Sequence, residues 1–282
     1  MAVPPLRALH AAGVDVAVVV TGADKRRGRG GATAPSPVKA AALELGLPVA
    51  HDVDDVLAAG VDLGVVVAFG RLIRPHVLAE VPMVNLHFSL LPRWRGAAPV
   101  ERALLAGDEV TGVCVMAVDE ALDTGAVYRR AEVPIGPTTT ADELRRELVE
   151  LGAALLVEAV TGGLGRPEPQ VGEPTYAEKL SSDDLELAWD RPADELDRVV
   201  RVGGAWTTFR GRRLKVWAAT VVAAAADGTP PALEPGQLDG LDVGTGRGRL
   251  RLVEVQPEGK ARQRATDWRN GARPTADERL GS

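Results

Sequence analysis

The first two-thirds of the chain alternates short apolar runs with helix-patterned stretches, and this alternation restricts the fold more than any other feature. Val14 to Thr21 (VDVAVVVT), Val61 to Phe69 (VDLGVVVAF) and Met83 to Phe88 (MVNLHF) are short, nearly continuous apolar segments. Runs of this kind suit strands covered on both faces. Between them, Pro37 to Gly46 has helical spacing and ends on a glycine. Thr140 and Glu143 form a capping-box pattern ahead of a helix predicted to run to about Val160. Strands that alternate with helices require crossover connections, so a Rossmann-like, doubly wound α/β domain with a mostly parallel sheet is predicted over residues 1–162. The chain nevertheless opens on a helical pattern, Met1 to His10 with Pro4 and Pro5 at its start, where such a fold would begin with a strand.

From Gly162 to Glu173 (GGLGRPEPQVGE) the apolar periodicity disappears, and residues 163–180 read as a linker. After a helical stretch around Ala193 to Arg201, β-like runs follow at Arg213 to Thr220, Val221 to Ala225 and Leu250 to Val255, separated by Gly/Pro/Asp turns. Residues 181–282 are therefore predicted to form a small antiparallel, OB-like barrel. A length of 282 residues suits two such domains. The single cysteine, Cys114, excludes an internal disulfide and reads as a small core residue. The first twenty residues carry Arg7, His10 and Asp15 and cannot form the apolar run of a signal peptide, and Ala218 to Ala226 is too short to span a bilayer. A cytoplasmic protein without a membrane partner is expected. The net charge of -6 is uneven: residues 208–282 hold 13 Lys/Arg against 9 Asp/Glu, which puts the basic surface on the C-terminal part.

Asn85-Leu86-His87 ends one of the apolar runs. Side chains two apart on a strand share a face, and in open α/β sheets the ligand crevice lies beyond the carboxyl ends of the strands. The following loop, Ser89 to Pro99 (SLLPRWRGAAP), mixes apolar residues with Arg93, Trp94 and Arg95, and downstream Leu122-Asp123-Thr124-Gly125 puts a carboxylate in a turn. Taken singly, His87 could be a hydrogen-bonded structural histidine, Asn85 a backbone cap and Asp123 an Asx turn; spacing alone leaves open whether they converge. The four histidines, His10, His51, His76 and His87, stand without Cys/His/Asp clusters at the spacing of a zinc site, so no metal is expected. Thr21 to Pro35 is a glycine-rich loop that misses the dinucleotide spacing but places Lys25, Arg26, Arg27 and Arg29 close together.

SLLPRWRGAAP, preceded by Asn-x-His and followed by Leu-Asp-Thr-Gly, resembles the formyltransferase family that uses 10-formyltetrahydrofolate, and more narrowly its branch acting on initiator methionyl-tRNA. The likeness continues through Gly28-Arg29-Gly30, Pro35 to Lys39, Thr175 to Leu180 (TYAEKL), Leu214 to Trp217 and Asn270 to Arg273, and so covers nearly the whole chain. It implies that Asn85 donates to the oxygen of a tetrahedral intermediate, that His87 polarises that oxygen or relays a proton, and that Asp123 orients His87 and holds its charged form, or positions a water. It implies a folate co-substrate near Phe69, Gly70, Ser89, Leu90, Leu91 and Pro92. It implies tRNA contacts at Lys25, Arg26, Arg27, Arg29, Arg93 and Arg95, with Arg29 in the place of the family's key loop arginine. Arg210, Arg212, Arg213, Lys215, Arg247, Arg249 and Arg251 are candidates for a basic face on the barrel. A monomer is expected. The chain departs from the family at Phe88, where many members have glycine, and at its start, where the family has a strand; Met1 is accordingly expected to be an internal methionine of a longer native chain. A formyltransferase acting on a small amine, or an inactive RNA-binding homologue, are the alternative readings.

Overall fold

In chain order, the computed structural model shows α1 (Val3–Ala11), β1 (Val19–Val20), β2 (Lys25–Arg26), β3 (Thr33–Ala34), α2 (Pro37–Glu44), β4 (Val49–Ala50), α3 (Asp55–Ala58), β5 (Gly64–Val67) and α4 (Pro75–Glu80). There follow β6 (Met83–His87), β7 (Arg95–Gly96), α5 (Pro99–Ala106), β8 (Val110–Ala117), β9 (Val127–Pro134), α6 (Ala141–Thr161) and β10 (Tyr176–Ala177). The remainder comprises α7 (Ala193–Val202), β11 (Trp206–Phe209), β12 (Arg212–Val221), β13 (Leu238–Asp239), β14 (Asp242–Gly244), β15 (Arg249–Pro257), β16 (Gln263–Arg264) and α8 (Ala265–Ala272). The structure describes residues 1–26, 33–222, 233–275 and 277–281; Arg27, Arg29 and the 223–225 end of one expected strand lie outside them. Two compact units are formed, one from residues 1–100, 110–134 and 144–178, the other from 101–109, 135–143 and 179–282. Residues 163–178, which the sequence marks as linker, thus belong to the first unit.

Helix starts follow local chemistry. The Ser36 hydroxyl accepts the Lys39 N–H at 3.0 Å and caps α2. At α6 the expected capping box forms: Thr140 N–H donates to Glu143 Oε2 at 2.9 Å and Glu143 N–H donates to Thr140 Oγ1 at 3.3 Å. Leu144, Leu148 and Leu156 of α6 are fully buried. Gly152 lets the helix approach the sheet, since a Cβ there would lie 3.0 Å from Val113 Cγ2 and 3.2 Å from Leu86 Cδ2.

The main sheet of the first unit has the order β5-β6-β8-β9. Only β5 and β6 are parallel; β6–β8 and β8–β9 are antiparallel. The expected mostly parallel sheet is therefore corrected to a mixed one. Residues 118–126 carry no helix, so β9 returns antiparallel to β8; β8 is itself antiparallel to β6 although α5 lies in the link between them. The apolar run 14–21 yields only Val19–Val20, paired in parallel with β4 as a separate two-stranded sheet. Among the described residues no pairing joins β1 to β5. A cavity of about 690 Å³ is lined by both, with Val18, Val20, Val65 and Val67 beside Leu6 and Leu9 of α1.

The second unit is an antiparallel sheet of order β11-β12-β15-β14-β13, with β16 also on β15. Its core gathers Leu196 and Val199 of α7, Leu214, Val216, Leu250 and Val255 of the sheet, and Trp268 of α8. Trp268 meets Phe209 edge to face at 5.3 Å. The antiparallel strands match expectation, but among the described residues β11 and β13 end the path and no pairing closes it into a barrel. No helix among the described residues is long and apolar enough to cross a membrane.

Candidate active site

Strand β6 is paired on both sides, so the alternation of its side chains is fixed. Leu86 faces α6, as its approach to Gly152 shows; Asn85 and His87 share the opposite face. His87 is 5% exposed and Asn85 is half-buried. Asp123 reaches them from the turn after β8. Its φ of 51° is left-handed, a region where Asp is tolerated better than most residues. The turn can close there because Gly125 lacks a Cβ: one would sit 2.0 Å from the Ala117 carbonyl oxygen.

The three side chains do converge. Asp123 Oδ2 is 3.6 Å from His87 Nδ1. The Asn85 amide makes a long contact of 3.5 Å with Asp123 Oδ1. The other ring nitrogen, His87 Nε2, lies 2.9 Å from the Trp94 carbonyl oxygen. A carbonyl can only accept, so Nε2 carries the hydrogen and, in the neutral ring, Nδ1 is the nitrogen free of one. Asp123 Oδ2 also accepts the Gly96 N–H at 2.8 Å.

The loop after β6 therefore builds the site as well as flanking it. Ser89, wholly buried, donates to the Arg93 carbonyl at 2.6 Å. Trp94 is left-handed at φ 62°, which aims its carbonyl at His87. Gly96 has φ 122°, and a Cβ there would come within 2.8 Å of the Ala177 carbonyl oxygen. Sequence reasoning missed the Trp94 carbonyl, the Gly96 amide and Gln170. Backbone groups leave no trace in side-chain patterning; Gly96 and Gly125 were the visible signs of a close approach.

The remaining sequence-selected residues divide. Leu91 packs with Cys114, Met116 and Val127 in a buried cluster, and burial pushes the Cys114 thiol up. Leu90 lies over Gly112, where a Cβ would be 2.5 Å from Leu90 Cδ2. Pro92 is half-buried and Gly70 exposed; Phe69 carries the Arg71 guanidinium 4.4 Å above its ring. Phe88 is buried. Arg93 is exposed and stacks on Trp94 at 4.6 Å, whereas Arg95 donates to Gln170 Oε1 at 3.1 and 2.6 Å. Lys25 and Arg26 form β2, paired antiparallel with β3. In the second unit several candidate basic residues face carboxylates: Arg210 with Glu278, Arg247 with Asp194, Arg249 with Asp239, and Arg251 with Asp242 through both oxygens. Arg212 lies 3.8 Å from Glu258, Arg213 stacks on Trp206 at 3.9 Å and Lys215 lies over Trp217 at 5.6 Å. Among the described residues no three His, Cys, Asp or Glu side chains gather as a metal would need.

The profile of the formyl transferase family matches residues 6–160, and that of its C-terminal domain matches residues 179–273. The chain belongs to the formyl transferase family. This formyl transferase is 45% identical to a methionyl-tRNA formyltransferase of Symbiobacterium thermophilum over 94% of its own length and 88% of the relative's. It is 43% identical to one of Methylococcus capsulatus over 100% of its own length and 96% of the relative's. Among solved structures, an N-formyltransferase of Helicobacter canadensis, in complex with folinic acid and dTDP-3-aminofucose, shares the fold at a TM-score of 0.68 and 14% identity, with 91% of this chain and 95% of that one covered.

Proposed function

We propose that this formyl transferase moves the formyl group of 10-formyltetrahydrofolate onto the amino group of initiator methionyl-tRNA, with Asn85, His87 and Asp123 carrying the chemistry. The observation behind this reading is the convergence of an amide, an imidazole and a carboxylate on one face of β6, with Asp123 Oδ2 3.6 Å from His87 Nδ1. The acceptor amine attacks the formyl carbon, the new C–N bond forms, and negative charge collects on the formyl oxygen. A donor aimed at that oxygen contributes roughly 3 kcal/mol, and the Asn85 amide, with only a long contact to Asp123, has that donor to give. His87 Nδ1 takes the proton released by the amine. Collapse of the intermediate breaks the bond to N10 of the folate, which receives the proton and leaves as tetrahydrofolate. Asp123, 3.6 Å from Nδ1, holds the ring once that nitrogen carries the proton.

The nucleic acid half of the reading rests on the near full-length likeness to proteins named for that substrate, on the basic segment from Lys25 to Arg29, and on exposed Arg93. We read the second unit as an OB-like surface facing the RNA and the protein as a cytoplasmic monomer. The test is formyl transfer from 10-formyltetrahydrofolate to charged initiator tRNA, beside Asn85→Ala and beside a small amino-sugar acceptor. Transfer to the tRNA that disappears in the variant supports the reading. Transfer to the small amine alone, or equal transfer by the variant, rejects it.

A further inference from the structure

Nothing in the sequence pattern of residues 163–173 singles out a functional side chain, yet Gln170 touches both components that hold Asp123. Its Nε2 donates to the Asp123 carbonyl and to the Gly125 carbonyl, each at 2.8 Å. Its Oε1 accepts from Arg95 Nε at 3.1 Å and Nη2 at 2.6 Å. Only one orientation of the amide satisfies this set, because carbonyls must receive hydrogens and a guanidinium must give them. One half-buried side chain therefore joins the left-handed turn bearing Asp123 to the strand whose Gly96 N–H donates to the Asp123 carboxylate.

The backbone around Gln170 is fixed independently. Before it, Glu168 and Val127 exchange backbone hydrogen bonds of 2.8 and 2.9 Å. After it, the Thr175 carbonyl accepts the Arg95 N–H at 2.9 Å, Thr175 Oγ1 accepts the Trp94 N–H at 2.9 Å, and the Ala177 carbonyl accepts the Ala97 N–H at 2.8 Å. The segment is anchored at both ends without Gln170, so the side chain is not needed to hold it down.

We propose that Gln170 is a positioning residue for formyl transfer: it clamps the Asp123 turn against the Arg95–Gly96 strand and so sets the distance between Asp123 and His87. This rests on the proposed roles of those two residues. Misplacement of a catalytic group by a fraction of an ångström lowers the chemical step without weakening substrate binding. Removing the clamp therefore lowers kcat and leaves KM for folate and tRNA nearly unchanged.

The experiment compares Gln170→Ala, Gln170→Glu, Glu168→Ala and Asp123→Ala in the full chain, by steady-state formylation and thermal unfolding. Gln170→Glu keeps the size of the side chain and its acceptor toward Arg95, but turns an oxygen toward the two carbonyls; it remains informative should the alanine variant fail to fold. The expected result is a kcat lower by about tenfold in the folded Gln170 variants, KM within about twofold, and Glu168→Ala, which removes an ion pair of the same segment with Arg130 at 3.8 Å, within about twofold in both. Equal effects of Gln170→Glu and Glu168→Ala, or a loss confined to KM or to the melting temperature, would overturn the inference. Unchanged turnover in Asp123→Ala would instead reject the site reading on which it rests.

Discussion

Asp123 Oδ2 lies 3.6 Å from Nδ1 of His87 and accepts the Gly96 N–H at 2.8 Å, so one carboxylate oxygen links the strand carrying the histidine to the loop that covers it. The charge and the shape of this side chain can be separated. Asn tolerates the left-handed backbone that Asp123 adopts at φ 51°. Asp123→Asn is expected to unfold in urea within about 1 kcal/mol of the parent, while transfer falls on the order of a hundredfold. A variant that keeps full turnover would show that the carboxylate charge is dispensable.

The Leu-Asp-Thr-Gly turn depends on its glycine for a steric reason. Because a Cβ on Gly125 would meet the Ala117 carbonyl oxygen at 2.0 Å, Gly125→Ala must push the turn away from β8. The expected cost is about 1–3 kcal/mol, together with loss of transfer, read by urea unfolding and by formylation. Wild-type stability would mean that the turn and β8 separate more easily than this contact implies.

The cavity predicts unequal costs for the same substitution on neighbouring strands. Val84 of β6 is 1% exposed, whereas Val65 of β5 lines the cavity and is only half-buried. Val84→Ala is expected to cost about 2 kcal/mol and Val65→Ala less than half of that, about 1 kcal/mol or below. Equal costs in denaturant titrations would indicate that the β1–β5 space is filled in solution.

Acid should destabilise the second unit through two carboxylates. The Ser181 N–H and the Arg102 guanidinium hold Asp184 down at about 2, and Arg210 with the Thr275 N–H holds Glu278 at about 2. In the unfolded chain such groups titrate near ~3.9 and ~4.3. Their folded values are depressed, so their contribution is present above about pH 4 and is lost as pH falls toward about 2. Asp197, raised by burial although Arg201 donates to it at 2.8 Å, works in the opposite direction. The melting temperature should therefore drop between about pH 4 and 2, and Arg102→Ala and Arg210→Ala should each flatten that drop. A slope unchanged in both variants would exclude these pairs as its source.

Short-range chemistry made parts of this molecule legible in the chain. The Thr140–Glu143 box and the common face of Asn85 and His87 both depend on residues within four positions of one another, where helix and strand periods act directly. What tertiary structure decided lies at long range. The sheet is mixed because β8 runs antiparallel to β6 even with α5 in the link between them, and patterning reports which face is buried but not the direction of the partner. The left-handed turn of Asp123 is held by donors 27 and 47 positions away, at Gly96 and Gln170, and the hydrogen on His87 is directed by a main-chain carbonyl. Residues 163–173 looked featureless for the same reason: their hydrogen-bonding partners, Arg95, Asp123 and Val127, are far along the chain. The sequence by itself determined which side chains share the face of one strand. Only the folded chain could bring the carboxylate to them, because that approach is made by backbone groups whose positions no local pattern records.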